Sequence, residues 1–322
     1  MNKKADLQIP FSWMFAIIVG AIILVLAIYF LVHFMKTGQT EHEVKTSKEI
    51  GVLLSPLEIG FEEGKKSVLE VSTDTKIYSS CNLFGNFGRQ GIMVKEKLNN
   101  KWAESSKEVV FQNKYIFAEK QVEGRKFYLF SKPFNFPFKV ASLIYLIPVR
   151  QNYCFVDAPE DIENEIKNLG FENMFFKDSS SQNCSGNELN VCFSFDNECN
   201  ISIDCSDTEC LSGRTIKQDK EAYFYTSSLM YATIFSDLDL YECQLKRLLK
   251  RTSILASLYG EKLTLTNFLG CLNYLSSDLN AFKMLATTYA ENTATFSGGL
   301  TAIASASEEL YYKNKYSSCR LW

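Results

Sequence analysis

Histidine is almost missing from this chain: only His33 and His42 occur in 322 residues. Beyond His42 every function has to work without imidazole. That excludes Ser-His-Asp and Cys-His nucleophile sites, HExxH metalloprotease motifs and His-containing zinc sites from the rest of the molecule. A cationic excess is also lacking. The formal net charge is -3, so no global basic field recruits nucleic acid, and no nucleic-acid partner is expected. Phosphate-cradling glycine motifs are absent too. Gly85, Gly88 and Gly91 form neither G-x-G-x-x-G nor a P-loop and read as turn residues, so no cofactor is expected. What is present is a 46% hydrophobic, 22% charged chain, which excludes a disordered polyelectrolyte. Its length is about twice that of an average domain of roughly 150 residues.

From Phe11 to Phe34 the sequence FSWMFAIIVGAIILVLAIYFLVHF carries no Asp, Glu, Lys or Arg, and fifteen of its residues are Leu, Ile, Val or Phe. A helix of this length spans roughly 36 Å, enough to cross a hydrocarbon core of about 30 Å with some tilt. Trp13 and Tyr29 stand near its ends, where aromatic anchors belong. A buried helix of a soluble protein would show a polar face, and a cleaved signal peptide has a shorter apolar region followed by an A-x-A site. Residues 11–35 are therefore expected to be a transmembrane helix in contact with lipid. Lys3 and Lys4 precede it, opposed by Asp6, while Lys36, Glu41, Glu43 and Lys45 follow. The positive-inside rule then puts residues 1–10 in the cytoplasm and the C-terminal bulk outside the cell membrane. Ten cysteines without a C-x-x-C pair agree, because they suit disulfides in an oxidising exterior.

Lys4-Ala5-Asp6-Leu7, followed by a long hydrophobic helix, resembles the class III signal peptides of archaeal type IV prepilins. The resemblance covers about the first thirty residues. It implies cleavage after Ala5 by a prepilin peptidase, Asp6 as the mature N-terminus, and assembly of the helices into a filament core. Pro10 departs from the continuous helix of pilins, and the outer region is larger than most pilin heads.

Residues 36–50 are polar and read as a stalk. Residues 51–176 read as an α/β domain, with strand-like segments at Ser67–Tyr78, Gly91–Lys95, Val109–Phe117 and Lys126–Ser131. Its clearest unit is Tyr153–Phe176. There an apolar strand leads to a helix capped by Asp157 or Ala158, carrying Pro159, Glu160 and Asp161 in its first turn and closed by Gly170, before another extended segment. That is a β-α-β signature. Residues 177–215 read as a cysteine-rich insert in which Val191–Phe195 and Asn200–Asp204 form a hairpin. Asn183-Cys184-Ser185 and Asn200-Ile201-Ser202 are glycosylation sequons. Residues 216–322 read as an antiparallel helical bundle. Tyr231, Ile234, Leu238, Tyr241, Leu245, Leu248, Thr252, Leu255 and Tyr259 step 3-4-3-4, and Gly260 ends the run. A second series starts at Phe268, and a third runs through Phe296, Leu300, Ile303, Ser307 and Leu310. The fold class expected is thus α+β.

Counting helix heights from the turns puts Cys271 and Cys319 at one end of the bundle, within disulfide reach, and puts Cys243 too far from Cys271 to join it. Cys192 faces Cys205 across the expected hairpin, and Cys81 is expected to join Cys154. The spacing C-x7-C-x6-C-x5-C-x4-C fits disulfides better than a zinc knuckle, so no metal site is assigned. Asp157, Glu160 and Asp161 offer carboxylates to a surface hydrolase, but capping already explains their position. Lys246, Arg247, Lys250 and Arg251 read as a solvated basic face. In Lys132–Lys139 (KPFNFPFK), Phe134, Phe136 and Phe138 either form an exposed docking loop or enter the core from an extended edge, the latter preferred. No catalytic residue is assigned. The function expected is that of a membrane-anchored, extracytoplasmic envelope protein that binds or organises surface partners. A processed pilin-like subunit and a carboxylate hydrolase are the alternatives.

Overall fold

The structure is a computed structural model, and it describes residues 13–33, 66–98, 100–102, 108–177, 184, 186–193, 199–270, 273–291 and 296–322. Within them the chain is α+β, as expected, with six helices and two mixed sheets. Helix α1, Trp13–His33, has a mean hydropathy of 3.1, and none of its apolar window is buried against the described protein. At 21 residues it matches a hydrocarbon core of about 30 Å.

The first sheet has seven strands: β1 (Lys66–Asn82), β2 (Arg89–Leu98), β3 (Lys101–Trp102), β4 (Val109–Phe111), β5 (Ile116–Phe117), β6 (Gln121–Asn135) and β7 (Lys139–Pro148). Their order is β3-β2-β1-β6-β7-β5, with β4 paired to β2. All pairings are antiparallel except β5 with β7. The segment Val109–Phe117, read as one strand, is two short ones. Strand β7, which ends in the apolar run Leu143–Pro148, was not foreseen; that run lacks alternation because both its faces are covered. Side chains alternate across β6: Tyr128 and Phe130 enter a large aromatic core, while Phe127 and Leu129 join Ile77, Ile92 and Val94 in a smaller one on the opposite face.

The second sheet has the order β13-β12-β11-β10-β8-β9, built from β8 (Tyr153–Val156), β9 (Met174–Lys177), β10 (Leu189–Cys192), β11 (Ile201–Cys205), β12 (Gly213–Lys217) and β13 (Lys220–Phe224). The expected β-α-β unit is present: β8 and β9 are parallel and α2, Glu160–Leu169, connects them. Gly170 closes α2 in the left-handed conformation at φ 57°, which a side chain resists. The cap differs from expectation. Pro159 occupies it without a side-chain hydrogen bond, and Asp157 has a φ of 52°. The expected hairpin is also corrected, because β10 and β11 are parallel and not antiparallel. Strands β12 and β13 then complete the sheet in antiparallel fashion where loop and helix were expected.

Helix α3, Ser227–Phe235, lies between the sheets. It packs on β6 and β7 on one side and on β12 and β13 on the other. Eight of its nine residues are buried, which is why the sequence SSLMYATIF shows no polar face. Tyr145 donates to the Ser228 carbonyl at 2.6 Å from the first sheet, and Thr215 bonds Thr233 at 2.6 Å from the second. The 3-4 series from Tyr231 is therefore two helices. Ser236 and Asp237 break it, and Asp237 caps α4 by accepting from the amides of Asp239 and Leu240. Helix α4, Leu238–Phe268, passes through Gly260, whose expected stop is overridden because an interior glycine costs only about 1 kcal/mol.

Helices α5 (Ser276–Glu291) and α6 (Phe296–Lys315) complete the chain. Ser253 bonds Thr287, and Asn267 bonds Asn273, so α5 returns along α4. Lys313 pairs with Asp278 across α5 and α6. Helix α4 also packs on β1, β5, β7 and β13, so the antiparallel helices are attached to the sheets along α4. The C-terminus is tied down by Asn314, which bonds the Trp322 carbonyl and the Leu321 amide.

Candidate functional site

A groove of about 1010 Å³ opens beside the antiparallel half of the second sheet. Three elements make it. Its floor is the end of β13, with Tyr223 and Phe224, the following Tyr225, and the Phe136–Pro137 turn between β6 and β7. One wall is the loop between β11 and β12; the other is the side of α6 that carries Glu308, Tyr311 and Tyr312.

The loop wall is fixed by its own chemistry. A disulfide joins Cys205 to Cys210, and between them the Asp207 carboxylate accepts from the amides of Leu211 and Ser212 and from the Ser212 hydroxyl. Burial would push this carboxyl up, but those hydrogen bonds outweigh it and hold its pKa below the ordinary aspartate value. On the floor, Arg214 of β12 lies between Asp204 of β11 (2.9 Å) and Glu221 of β13 (2.8 Å), and the two carboxylates raise its pKa. These three charges are therefore spent on one another. Tyr225 packs its ring on Phe136 at 4.8 Å, and burial raises the pKa of its hydroxyl, which has no hydrogen-bond partner among the described residues.

The α6 wall follows from helical spacing. Ile303, Ser307 and Leu310 are buried, so Tyr311 and Tyr312, one and two positions further, turn outward and are 45% and 46% exposed. Tyr312 stacks with Tyr316 one turn on, and Lys315 lies over the rings of Tyr311 and Tyr316. Of the groove residues, Phe136 was named from the sequence as a docking candidate and Cys205 as a disulfide candidate, but Tyr223, Tyr225, Glu308, Tyr311 and Tyr312 were not singled out. The usable signal was the placement of three tyrosines off the buried stripe of the third helical series.

Apart from Phe136 and Cys205, the residues that were singled out lie away from the groove. Phe134, Phe136 and Phe138 are 0%, 3% and 2% exposed, which removes the docking-loop reading. Phe136 and Phe138 both meet Phe282 of α5, and Phe138 also meets Tyr259 and Trp322, so this hairpin end is the hub that attaches the helices to the sheet. The solvated basic face is corrected as well: Arg247 is wholly buried and Lys246 nearly so. Arg247 donates to the carbonyls of Phe87, Lys114 and Gln112 and to Gln244, and lies over the Tyr115 ring at 4.7 Å. Burial lowers its pKa, but guanidinium stays charged and holds three loop carbonyls to α4. Asp157, Glu160 and Asp161 are exposed at the start of α2. Gly85 and Gly88 are turn residues with positive φ, and Gly91 lies within β2. Lys4, Ala5 and Asp6 lie outside the described residues.

Four disulfides between described residues join Cys81 to Cys243, Cys154 to Cys184, Cys192 to Cys199 and Cys205 to Cys210. The expected Cys81–Cys154 and Cys192–Cys205 pairs are thus replaced. Parallel β10 and β11 remove the opposition of Cys192 and Cys205, and α4 brings Cys243 to β1. Cys243 is not joined to Cys271, as its height on the helix required. Cys319 is disulfide-bonded, and Cys271, its expected partner, lies outside the described residues. Paired sulfurs are not thiolate ligands, and among the described residues no group of three or more His, Cys, Asp or Glu is placed to hold a metal. Comparison with protein-family models, curated proteins and solved structures finds no significant match.

Proposed function

We infer that the chain is a single-pass membrane protein anchored by α1, with residues N-terminal to that helix in the cytoplasm and the disulfide-bearing part outside, where it binds surface or envelope partners. The observation that carries this reading is α1 itself. A 21-residue helix of mean hydropathy 3.1 finds no burial in the described fold. Its apolar side chains gain several kcal/mol on insertion into lipid and nothing in water. The four disulfides support the outward side, since such bonds persist in oxidising compartments. The groove supports a binding role, being deep, open and lined by outward-turned aromatic rings. The test is extraction of the full-length protein from isolated membranes. It should resist carbonate and yield only to detergent, whereas a chain lacking residues 13–33 should be released. Release of the intact protein by carbonate would sink the anchor.

A second reading keeps the helix and changes its partner. Helix α1 is apolar all round, which also suits packing against identical helices in a pilin-like filament after cleavage behind Ala5. N-terminal sequencing of the mature protein separates the two, because Asp6 as first residue favours assembly and an uncut N-terminus favours the simple anchor.

A further inference from the structure

We propose that the groove between β13, the Cys205–Cys210 loop and α6 binds a neutral oligosaccharide, an inference that rests on the outward-facing binding role above and names its ligand class. The argument begins with charge. Asp204, Arg214 and Glu221 neutralise one another, and Asp207 is saturated by two amides and a hydroxyl. Among the described residues that line the groove, none offers an uncommitted cation to a phosphate or an acidic peptide; Lys315 of α6 lies over the Tyr311 ring. What remains on its surface is Glu308, which forms no ion pair among the described residues, together with hydroxyl side chains such as Ser305 and Thr301 and the rings of Tyr311 and Tyr312.

That combination recognises a ring with one apolar C–H face and a rim of hydroxyls. The tyrosine faces take the C–H face, since aromatic rings supply broad apolar contact while their phenolic tips stay in water. The carboxylate and the serine and threonine oxygens take the hydroxyl rim, an anionic acceptor giving the stronger hydrogen bonds. Size agrees. Ligand pockets commonly run to about 300–1,000 Å³, and this one lies at the upper end while remaining open, which suits a chain of sugars better than a single one. A proline-rich peptide is the competing occupant, as it too stacks on tyrosines. It binds chiefly through aromatic grooves, whereas here the Glu308 carboxylate and the hydroxyls of Ser305 and Thr301 line the groove beside its aromatic rings.

The test uses the full-length protein in a zwitterionic detergent, so that no sugar-headed detergent competes. Titration with cello-, chito- and malto-oligosaccharides, read by saturation-transfer NMR and calorimetry, should find at least one series that binds and contacts tyrosine rings. Tyr312→Ala should weaken it about tenfold, Tyr312→Phe should stay within about threefold, and Glu308→Gln should weaken it several-fold. A non-reducing gel and a melting curve identical to wild type show that each variant is folded. Binding by none of the three series, binding indifferent to Tyr312→Ala, or binding of a proline-rich peptide in their place overturns the proposal. Since α1 is tested separately by membrane extraction, a protein that stays anchored yet binds no sugar refutes the ligand class alone.

Discussion

The two sheets are held by opposite means. In the first, the four central strands are long, β1 with 17 residues, β6 with 15, and β2 and β7 with 10 each, while β3, β4 and β5 are short additions of two or three residues. Ladder hydrogen bonds and two buried apolar faces supply most of the order, and one long-range disulfide, Cys81–Cys243, ties β1 to α4 across 162 residues. In the second, strands are only four or five residues long, and three disulfides of sequence separation 30, 7 and 5 fasten the neighbouring loops. Short strands contribute few ladder bonds, so loop order there has to come from covalent closure and from side chains such as Asp207. A long sheet can spend its one cross-link on tertiary attachment, and a short one spends several on local shape.

The comparison can be broken in order of expected effect. Replacing Cys81 and Cys243 by serine removes closure of the longest loop among the four described pairs and should cost about 5 kcal/mol in the chain-entropy account. A denaturant midpoint unchanged from wild type would show that α4 is attached by packing alone. Phe136→Ala opens a cavity at the hub where the helices meet the sheet and should cost about 3–5 kcal/mol. Arg247→Ala leaves three loop carbonyls without their donor and should cost about 3 kcal/mol, while hydrogen exchange should rise at Phe87 and at Gln112–Lys114. Exchange rising equally in β8 and β10 would deny that the two sheets are held separately. Replacing Cys205 and Cys210 by serine closes off only a short loop, so about 2 kcal/mol is expected, with increased exchange confined to residues 205–212.

The smallest effect is a pH dependence that distinguishes the sheets by salt. Asp207 and Asp74 both have carboxyls held below the ordinary value. Backbone amides overcome burial at Asp207, while the Arg125 hydrogen bond and charge, assisted by Arg150, act at Asp74. A depressed folded pKa gives stability that is present above the unfolded value of about 3.9 and is lost as pH falls through the folded one. Melting curves should therefore decline in acid. The Asp74 share should vanish in high salt because its partners are exposed, and the Asp207 share should survive. Asp207→Asn should flatten the acid limb without altering its salt sensitivity.

Local order was legible in the sequence where one segment decides it. The apolar run of α1, the β-α-β unit around α2 with Gly170 at its end, and the presence of disulfides all follow from spacing and composition. What distant residues decide was not. Cysteine partners depend on which elements meet, and the short link between β10 and β11 looked like a hairpin although the strands run parallel. Arg247 looked solvated because its partners, the carbonyls of Phe87, Gln112 and Lys114, are more than a hundred positions away. The 3-4 repeat from Tyr231 concealed the break at Ser236-Asp237, since α3 is buried on all sides and keeps the apolar spacing through the turn. The groove was illegible for the same reason: its floor comes from residues near 136 and 223 and its wall from α6.

Which side of the membrane holds the sulfurs decides the account most directly. Intact cells should be treated with a membrane-impermeant maleimide, before and after an impermeant reductant, and the labelled cysteines mapped by mass spectrometry. The account predicts no labelling at first and labelling of Cys205 and Cys210 once the reductant is added from outside. Cysteines that react without any reductant, and only after the cells are broken open, would contradict it.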